Sequence, residues 1–295
     1  MLLNVRDYQR PGVAAQEGRQ RERLDRALAL LARPGVRTAA LAGGDTLVGS
    51  ADPYIEAVVD LQGLGLDQVQ VGSDAIRIGA MVTRSGCQAL ATAGGSAALV
   101  ATAARQWGGS VQRNRATVGG AVAIGAGNDA LVVALLASDA LVALYTEDGT
   151  RDVPLVEFLP DRQAWLAAPA LITDLVLPAP APGPVTTGAA LTTVGRTPAD
   201  APIVVAAAVL AITDGRCQVA RLALGGVAPA PIRLPGLEER LSGRRLDEGL
   251  IRVAAEQVSG MVSPASDFRG SSEYRRTVAG VLSERVLRQA WQQAQ

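Results

Sequence analysis

Apolar positions along the chain change period from segment to segment, and each change marks a predicted element. In "ERLDRALALLARPG" (Glu22–Gly35), Leu24, Leu28 and Leu31 recur at helical spacing and the pattern stops at Pro34-Gly35, which predicts a helix with a clear end. "RTAALAGG" (Arg37–Gly44) reads as a short buried strand running into a glycine pair. "IEAVVDL" (Ile55–Leu61) and "AIRIGAMV" (Ala75–Val82) predict further strands, so Glu22–Leu61 forms a helix–strand–turn–strand unit. The Ala-rich stretch Arg84–Gly109 predicts one or two helices. Asn128–Leu159 predicts a helix followed by a hairpin that turns at Asp148-Gly149.

"LPAPAPGPVTTG" (Leu177–Gly188), dense in Pro and Gly, is the best domain boundary. Beyond it, strands at Ile203–Ile212 and Cys217–Val227 join through Asp214-Gly215, and helices are expected over Asp247–Gly260 and Glu273–Gln293. Strands followed by helices indicate an α+β arrangement. No internal repeat is visible.

Composition then narrows the chemistry. A chain of 295 residues that is 48% apolar has material for two or three domains, but with 3% aromatics its core must be built from Ala, Val and Leu. Formal charge is zero, which argues against nucleic-acid binding by bulk electrostatics. The chain has no His, which excludes within it His metal sites, Ser-His-Asp and Cys-His catalysis, and a histidine-linked flavin. It also has no Lys, which excludes a lysine Schiff base and a Walker-type loop. Any chemistry is expected to come from a bound group.

Cys87 and Cys217 are far apart, form no CxxC and cannot hold an iron–sulfur centre; two free thiols in a reducing cytoplasm are expected. "MLLNVRDYQR" lacks the apolar core of a signal peptide. Ile203–Ile212 is too short to span a membrane, and Ala130–Tyr145 is interrupted by Asp139. A cytoplasmic protein without a membrane span is the expectation.

Two glycine tracts carry the candidate chemistry: "AALAGGDTLVGS" (Ala39–Ser50) and "ATVGGAVAIG" (Ala116–Gly125). A Gly-Gly after a strand lets backbone N–H groups approach a ligand with no Cβ in the way, and several such groups can bind phosphate without lysine. Asp45, Thr46 and Thr117 add short polar side chains suited to ribityl or ribose hydroxyls. Asp129, in "GND", offers a carboxylate near the second tract. Either pair alone is more often a structural turn. Neither is the G-x-G-x-x-G of a dinucleotide-binding βαβ unit, so NAD is not indicated as the resident cofactor. From the residues alone, the reading is a protein that cradles an anionic cofactor on two glycine loops.

"LAGGDTL" (Leu41–Leu47), "VQRNRATVGGAVA" (Val111–Ala123) and "GNDALVVALLASDALVAL" (Gly127–Leu144) resemble the flavin-binding segments of one family. It is the FAD-binding medium subunit of the molybdenum hydroxylases, which includes carbon monoxide dehydrogenase and xanthine dehydrogenase. "IRIGAMVTRS" (Ile76–Ser85), "GRTPADAPIVVAAAVL" (Gly195–Leu210), "LALGGVAPAPIR" (Leu222–Arg233) and "DFRGSSEYRRTVAGVL" (Asp267–Leu282) extend the resemblance over nearly the whole chain.

The resemblance implies an α+β fold: a two-subdomain, PCMH-type FAD-binding fold over 1–62 and 63–178, and a C-terminal α+β domain over 185–295 closing over the flavin. It implies that Ala42, Gly43, Gly44, Asp45 and Thr46, with Thr117, Val118, Gly119, Gly120 and Ala121, wrap the pyrophosphate and ribityl chain. Asp129 would contact the sugar. It further implies an oxidoreductase subunit that takes electrons from a 2Fe-2S small subunit, itself served by a molybdopterin large subunit. Those electrons would pass through FAD to NAD, a quinone, oxygen or another acceptor, in a dimer of heterotrimers.

Three departures stand out: Ala121 where the family carries Asn, Asp or Gly, "GAGND" in place of "SP" before "GD" together with a shortened segment after the first tract, and Thr193 where it often carries Lys. Two alternatives stay open, a scaffold subunit with a decayed flavin site and a stand-alone FAD-dependent reductase. Among single residues, Tyr274 is expected to pack the core rather than stack on flavin, Trp107 to pack its subdomain, and Arg113 and Arg115 to divide evenly between phosphate and structural roles.

Overall fold

The computed structural model describes residues 4–14, 20–50, 52–167, 169–179, 185–197 and 200–295. Twelve strands in these segments form three sheets: β1 (Asp7–Gln9), β2 (Thr38–Leu41), β3 (Ala57–Asp60), β4 (Val69–Val71), β5 (Ala75–Gly79), β6 (Leu141–Thr146), β7 (Gly149–Pro154), β8 (Leu171–Pro178), β9 (Thr186–Val194), β10 (Val204–Thr213), β11 (Arg216–Gly225) and β12 (Ile232–Arg233). No helix among the described residues is long and apolar enough to cross a membrane.

The first sheet is parallel, in the order β1-β3-β2. Its centre, β3, is buried at all four positions, and the helix Gln20–Leu31 covers it with Leu24, Ala27 and Leu28. A helix over Asp45–Ser50 makes the parallel crossover between β2 and β3, an element the apolar pattern does not predict because "DTLVGS" carries no amphipathic period. The strand β1 is likewise invisible in "DYQ" and exists because β3 offers a backbone edge.

The second sheet is antiparallel, in the order β4-β5-β8-β6-β7. Its middle strand β8, "LITDLVLP", returns from the far end of the domain to pair with both β5 and β6. The β6–β7 hairpin turns at Asp148-Gly149, as the sequence indicates, with Gly149 at φ 109°.

The third sheet, β12-β11-β10-β9, is antiparallel, with the helices Glu248–Met261 and Ser272–Gln293 on one face. Its strand β9 is another unpredicted element, because "TTGAALTTV" gives a weak apolar signal next to a Pro-rich run. The middle of that run, residues 180–184, lies outside the described residues, as do residues 198–199 of the "GRTPADAP" segment.

The strand β10 serves two cores at once. Ala206, Ala208 and Leu210 pack against the C-terminal helices, while Val205, Ala207 and Val209 pack toward the second sheet. Side-chain alternation along a strand buried on both faces produces its unbroken apolar run. Between the sheets lies the helix Ala130–Ala137, buried at every position; an all-apolar helix here is the filling of a sandwich.

Polar ties fasten this junction. Asp139, at φ 59°, accepts from Arg221 at 2.9 Å and Arg233 at 2.8 Å, and Arg233 also makes a bidentate pair with Glu238. Asn128 Nδ2 donates to the Pro202 carbonyl at 2.6 Å, and Gly226 N–H donates to the Gly127 carbonyl at 2.6 Å.

Candidate functional site

The first tract leaves the end of β2 and turns through Gly44, at φ 74°, into the helix Asp45–Ser50. Gly43 is required by close approach: a Cβ there would stand 1.8 Å from the Arg115 carbonyl oxygen. Arg115 lies just before the second tract and its Nη2 donates back to the Gly43 carbonyl at 3.4 Å. The two glycine tracts therefore meet main chain to main chain, although more than seventy residues separate them.

Their backbones do different things. Among the described residues, the N–H groups of Gly43, Gly44, Asp45 and Thr46 make no hydrogen bond within the chain and remain available to a ligand. In the second tract the donors of Val118, Gly119, Gly120 and Ala121 are used. Val118 N–H donates to the Val82 carbonyl at 2.9 Å, Gly119 to Ala80 at 2.9 Å, Gly120 to Thr117 Oγ1 at 3.1 Å and Ala121 to the Thr117 carbonyl at 3.0 Å.

The second tract is also no loop. Gly119 and Gly120 lie inside the helix Val118–Ile124, which Thr117 N-caps. A Cβ on Gly119 would sit 2.6 Å from Ala80 Cβ, so this glycine lets the helix press against the end of β5. Thus the expectation of backbone donors is corrected for Val118 to Ala121: the first two of these N–H groups tie the helix to the segment after β5, and the next two close its first turn on Thr117. Val118 is fully buried and belongs to the core.

A cavity of about 400 Å³ opens where the tracts meet. The first tract contributes Ala42 to Thr46, and the second contributes Thr117, Gly120 and Ala121. Asp129 is also in the wall, with both carboxylate oxygens engaged: Oδ1 caps the helix Ala130–Ala137 by accepting from Leu131 N–H at 3.0 Å, and Oδ2 accepts from Arg84. Across the glycine turn, a second cavity of about 690 Å³ mixes apolar and charged lining, with Arg10, Asp60, Asp67, Asn114 and Arg115 among its residues and Gly43 and Gly44 in the shared wall. There the Tyr8 hydroxyl donates to Asp60, which raises the phenol above its usual pKa.

Two wall residues of the smaller cavity were not among the residues expected to bind a ligand. Arg84 is 2% exposed; its Nη2 pairs with Asp129, its guanidinium lies 4.6 Å from the centroid of the Trp107 ring, and its Nε and Nη1 have no partner. Leaving a buried donor unpaired costs about 1–3 kcal/mol, more for a charged group. Trp107 itself is half-buried and faces this cavity. In sequence Arg84 is one of 28 arginines in a turn after a strand, and nothing local marks it.

The remaining expectations sort readily. Arg113 is structural, donating to the Trp107 and Gly108 carbonyls, whereas Arg115 faces the larger cavity. Tyr274 is not core: it is 43% exposed, with its ring against Gly270, away from both cavities. Thr193 pairs with Val205 on the face of β9 turned to the second sheet but lines neither cavity. Cys87 and Cys217 are buried free thiols, each pushed up to about 11 by burial, so neither is a reactive nucleophile.

The family described as "FAD binding domain in molybdopterin dehydrogenase" matches residues 19–180, and the "CO dehydrogenase flavoprotein C-terminal domain" matches residues 189–290. The chain belongs to the FAD-binding medium subunits of the molybdenum hydroxylases. Such subunits include the carbon monoxide dehydrogenase medium chain of Hydrogenophaga pseudoflava, 29% identical with 90% of this chain and 93% of that one covered. The nicotine 6-hydroxylase medium subunit of Paenarthrobacter nicotinovorans is 28% identical over 85% and 88%.

Among solved structures, carbon monoxide dehydrogenase from Hydrogenophaga pseudoflava superposes with a TM-score of 0.87 at 25% identity, covering all of both chains. The reconstituted enzyme from Oligotropha carboxidovorans gives 0.85 at 26%, also over both full chains. As a medium subunit, the chain is an FAD-binding oxidoreductase component. The residues present fit that cofactor: open N–H donors on one glycine turn, Gly43, Gly44 and Gly120 in the cavity wall, and a buried cation with unpaired donors there.

Proposed function

We propose that this chain is the electron-transfer subunit of a cytoplasmic molybdenum hydroxylase complex. It takes electrons from 2Fe-2S clusters of a small partner subunit, fed by a molybdopterin-bearing large subunit, and passes them to an external acceptor such as NAD or a quinone. The assembly is a dimer of heterotrimers. When bound, FAD supplies the exchange between one-electron and two-electron transfer.

The protein's share is binding and orientation. Residues 1–62 and 63–178 clamp the cofactor between them, and residues 185–295 brace the second unit through Asp139, Asn128 and Gly226. The open N–H groups of Gly43, Gly44, Asp45 and Thr46 hold the pyrophosphate, with Arg115 adding charge from the second unit. Ala42, Thr117, Gly119, Gly120 and Ala121 shape the wall, and Val118 fixes the helix behind it. With Ala at 121, this position contributes surface, and the pyrophosphate relies on the first tract.

The observation that carries this reading is the main-chain contact of Gly43 with Arg115, which makes one cleft from two distant glycine tracts. The test is to purify the complex from its native host, record its absorption spectrum, and release and quantify the flavin with acid. Near-stoichiometric FAD alongside iron–sulfur absorbance is expected. Iron–sulfur absorbance without flavin would convert the subunit to a scaffold, and an active flavoprotein without metal partners would make it a stand-alone reductase.

A further inference from the structure

The buried guanidinium of Arg84 is the one feature of the smaller cavity that packing does not explain. Asp129 satisfies only Nη2, Trp107 covers the guanidinium, and Nε–H and Nη1–H are buried without acceptors. We propose that Arg84 is a flavin-contacting residue whose two unpaired N–H groups donate to acceptor atoms of the isoalloxazine ring, with Asp129 as the positioning residue that aims it. This rests on the FAD reading above and assigns one end of the cofactor to one cavity.

Ring rather than phosphate follows from the surroundings. The wall around Arg84 is largely apolar, with Trp107, Leu47, Ala121 and Ile124, which suits a flat heteroaromatic ring. Asp129 already balances the Arg84 charge, so the pair is neutral as a unit and offers a pyrophosphate no net positive charge. The open donors of Gly43 and Gly44 stand in the wall shared with the larger cavity, where the cation Arg115 offers a pyrophosphate its charge. A ring with carbonyl and imine acceptors matches a neutral pair with two free N–H groups. A cationic donor at the ring also favours its electron-rich reduced form.

The test uses the full-length chain, stripped of flavin and titrated with FAD, followed by the midpoint potential and visible spectrum of the bound cofactor. Arg84→Gln is expected to raise the FAD dissociation constant about ten- to a hundredfold, as for a lost charge-assisted hydrogen bond, and to move the potential to lower values. Asp129→Asn is expected to move the potential the opposite way, because it leaves the Arg84 charge uncompensated. A merely structural ion pair would not produce shifts of opposite sign. Arg84→Lys keeps the charge, guards against a fold defect in the glutamine variant, and should hold the potential closer to wild type than Arg84→Gln does.

Weaker FAD binding with the potential unchanged in Arg84→Gln and Arg84→Lys would overturn the proposal and place Arg84 at the phosphates or in the fold. Wild-type affinity and potential in both variants would make it a structural partner of Asp129. If the wild-type chain itself binds no FAD, the cofactor reading fails first and the proposal falls with it.

Discussion

The two glycine tracts are nearly the same length, both lie beside short polar residues, and both reach the same cavity, yet one is a donor turn and the other a packed helix. The first follows a parallel strand whose hydrogen bonding stops at Leu41, so its N–H groups face open space. The second follows a bridge between Thr83 and Thr117 and is drawn at once into a helix against β5, so the N–H groups of Val118 to Ala121 are used. The lesson is that glycine-rich sequence reports close approach of the backbone, and tertiary pairing decides whether the approach is to a ligand or to the protein.

The largest expected effect is at the contact between them. Gly43→Ala places a Cβ 1.8 Å from a carbonyl oxygen that cannot swing away, so the tracts must separate. Loss of flavin from the purified protein is expected, with destabilisation of about 3 kcal/mol or more, at the upper end of overpacking. Thermal melts and acid-released flavin would show both.

Gly119→Ala sharpens the comparison. Its Cβ meets Ala80 at 2.6 Å, and a loss of about 1–3 kcal/mol is expected. FAD affinity in the fraction that remains folded should change little. A folded, stable variant that no longer binds FAD would show that the second tract contacts the cofactor through its backbone after all.

Thr117→Val removes the hydroxyl that caps Gly120 N–H and should cost about 1 kcal/mol, read as a shifted denaturation midpoint. The smallest effect is a pH dependence. Burial raises the Cys87 thiol from its ordinary value near 9.0 to about 11, so its neutral form is favoured in the fold. The associated stability is complete below about pH 9 and is lost as pH rises from about 9 to about 11, while the unfolded thiol ionises. Urea midpoints at pH 8 and pH 10 should therefore diverge less in Cys87→Ala than in the wild type. FAD affinity should not track this change, because Cys87 is buried in the core and lines neither cavity.

Much of the fold was legible. The helix Gln20–Leu31, the strands β2, β3, β5, β10 and β11 and the two last long helices follow directly from apolar period and turn residues. The strands β8 and β9 were not legible: one is broken by Asp174 and the other is Thr- and Ala-rich, and both exist because neighbouring strands present edges. At the site, the first tract was readable from Gly-Gly after a strand. Arg84 was not, since its significance lies in Asp129 and Trp107, 45 and 23 positions further along the chain.

By itself the sequence determined that His- and Lys-based chemistry is closed to this protein, because it contains neither residue, and that glycine would bring backbone close to something at two places. Those are properties of residue types and local period. Only the tertiary structure decided that the two places are one, that a single tract keeps its donors free, and that a buried arginine waits in the wall with two N–H groups unpaired. Hydrogen-bond satisfaction is a sum over partners distant in sequence, and no local pattern carries it.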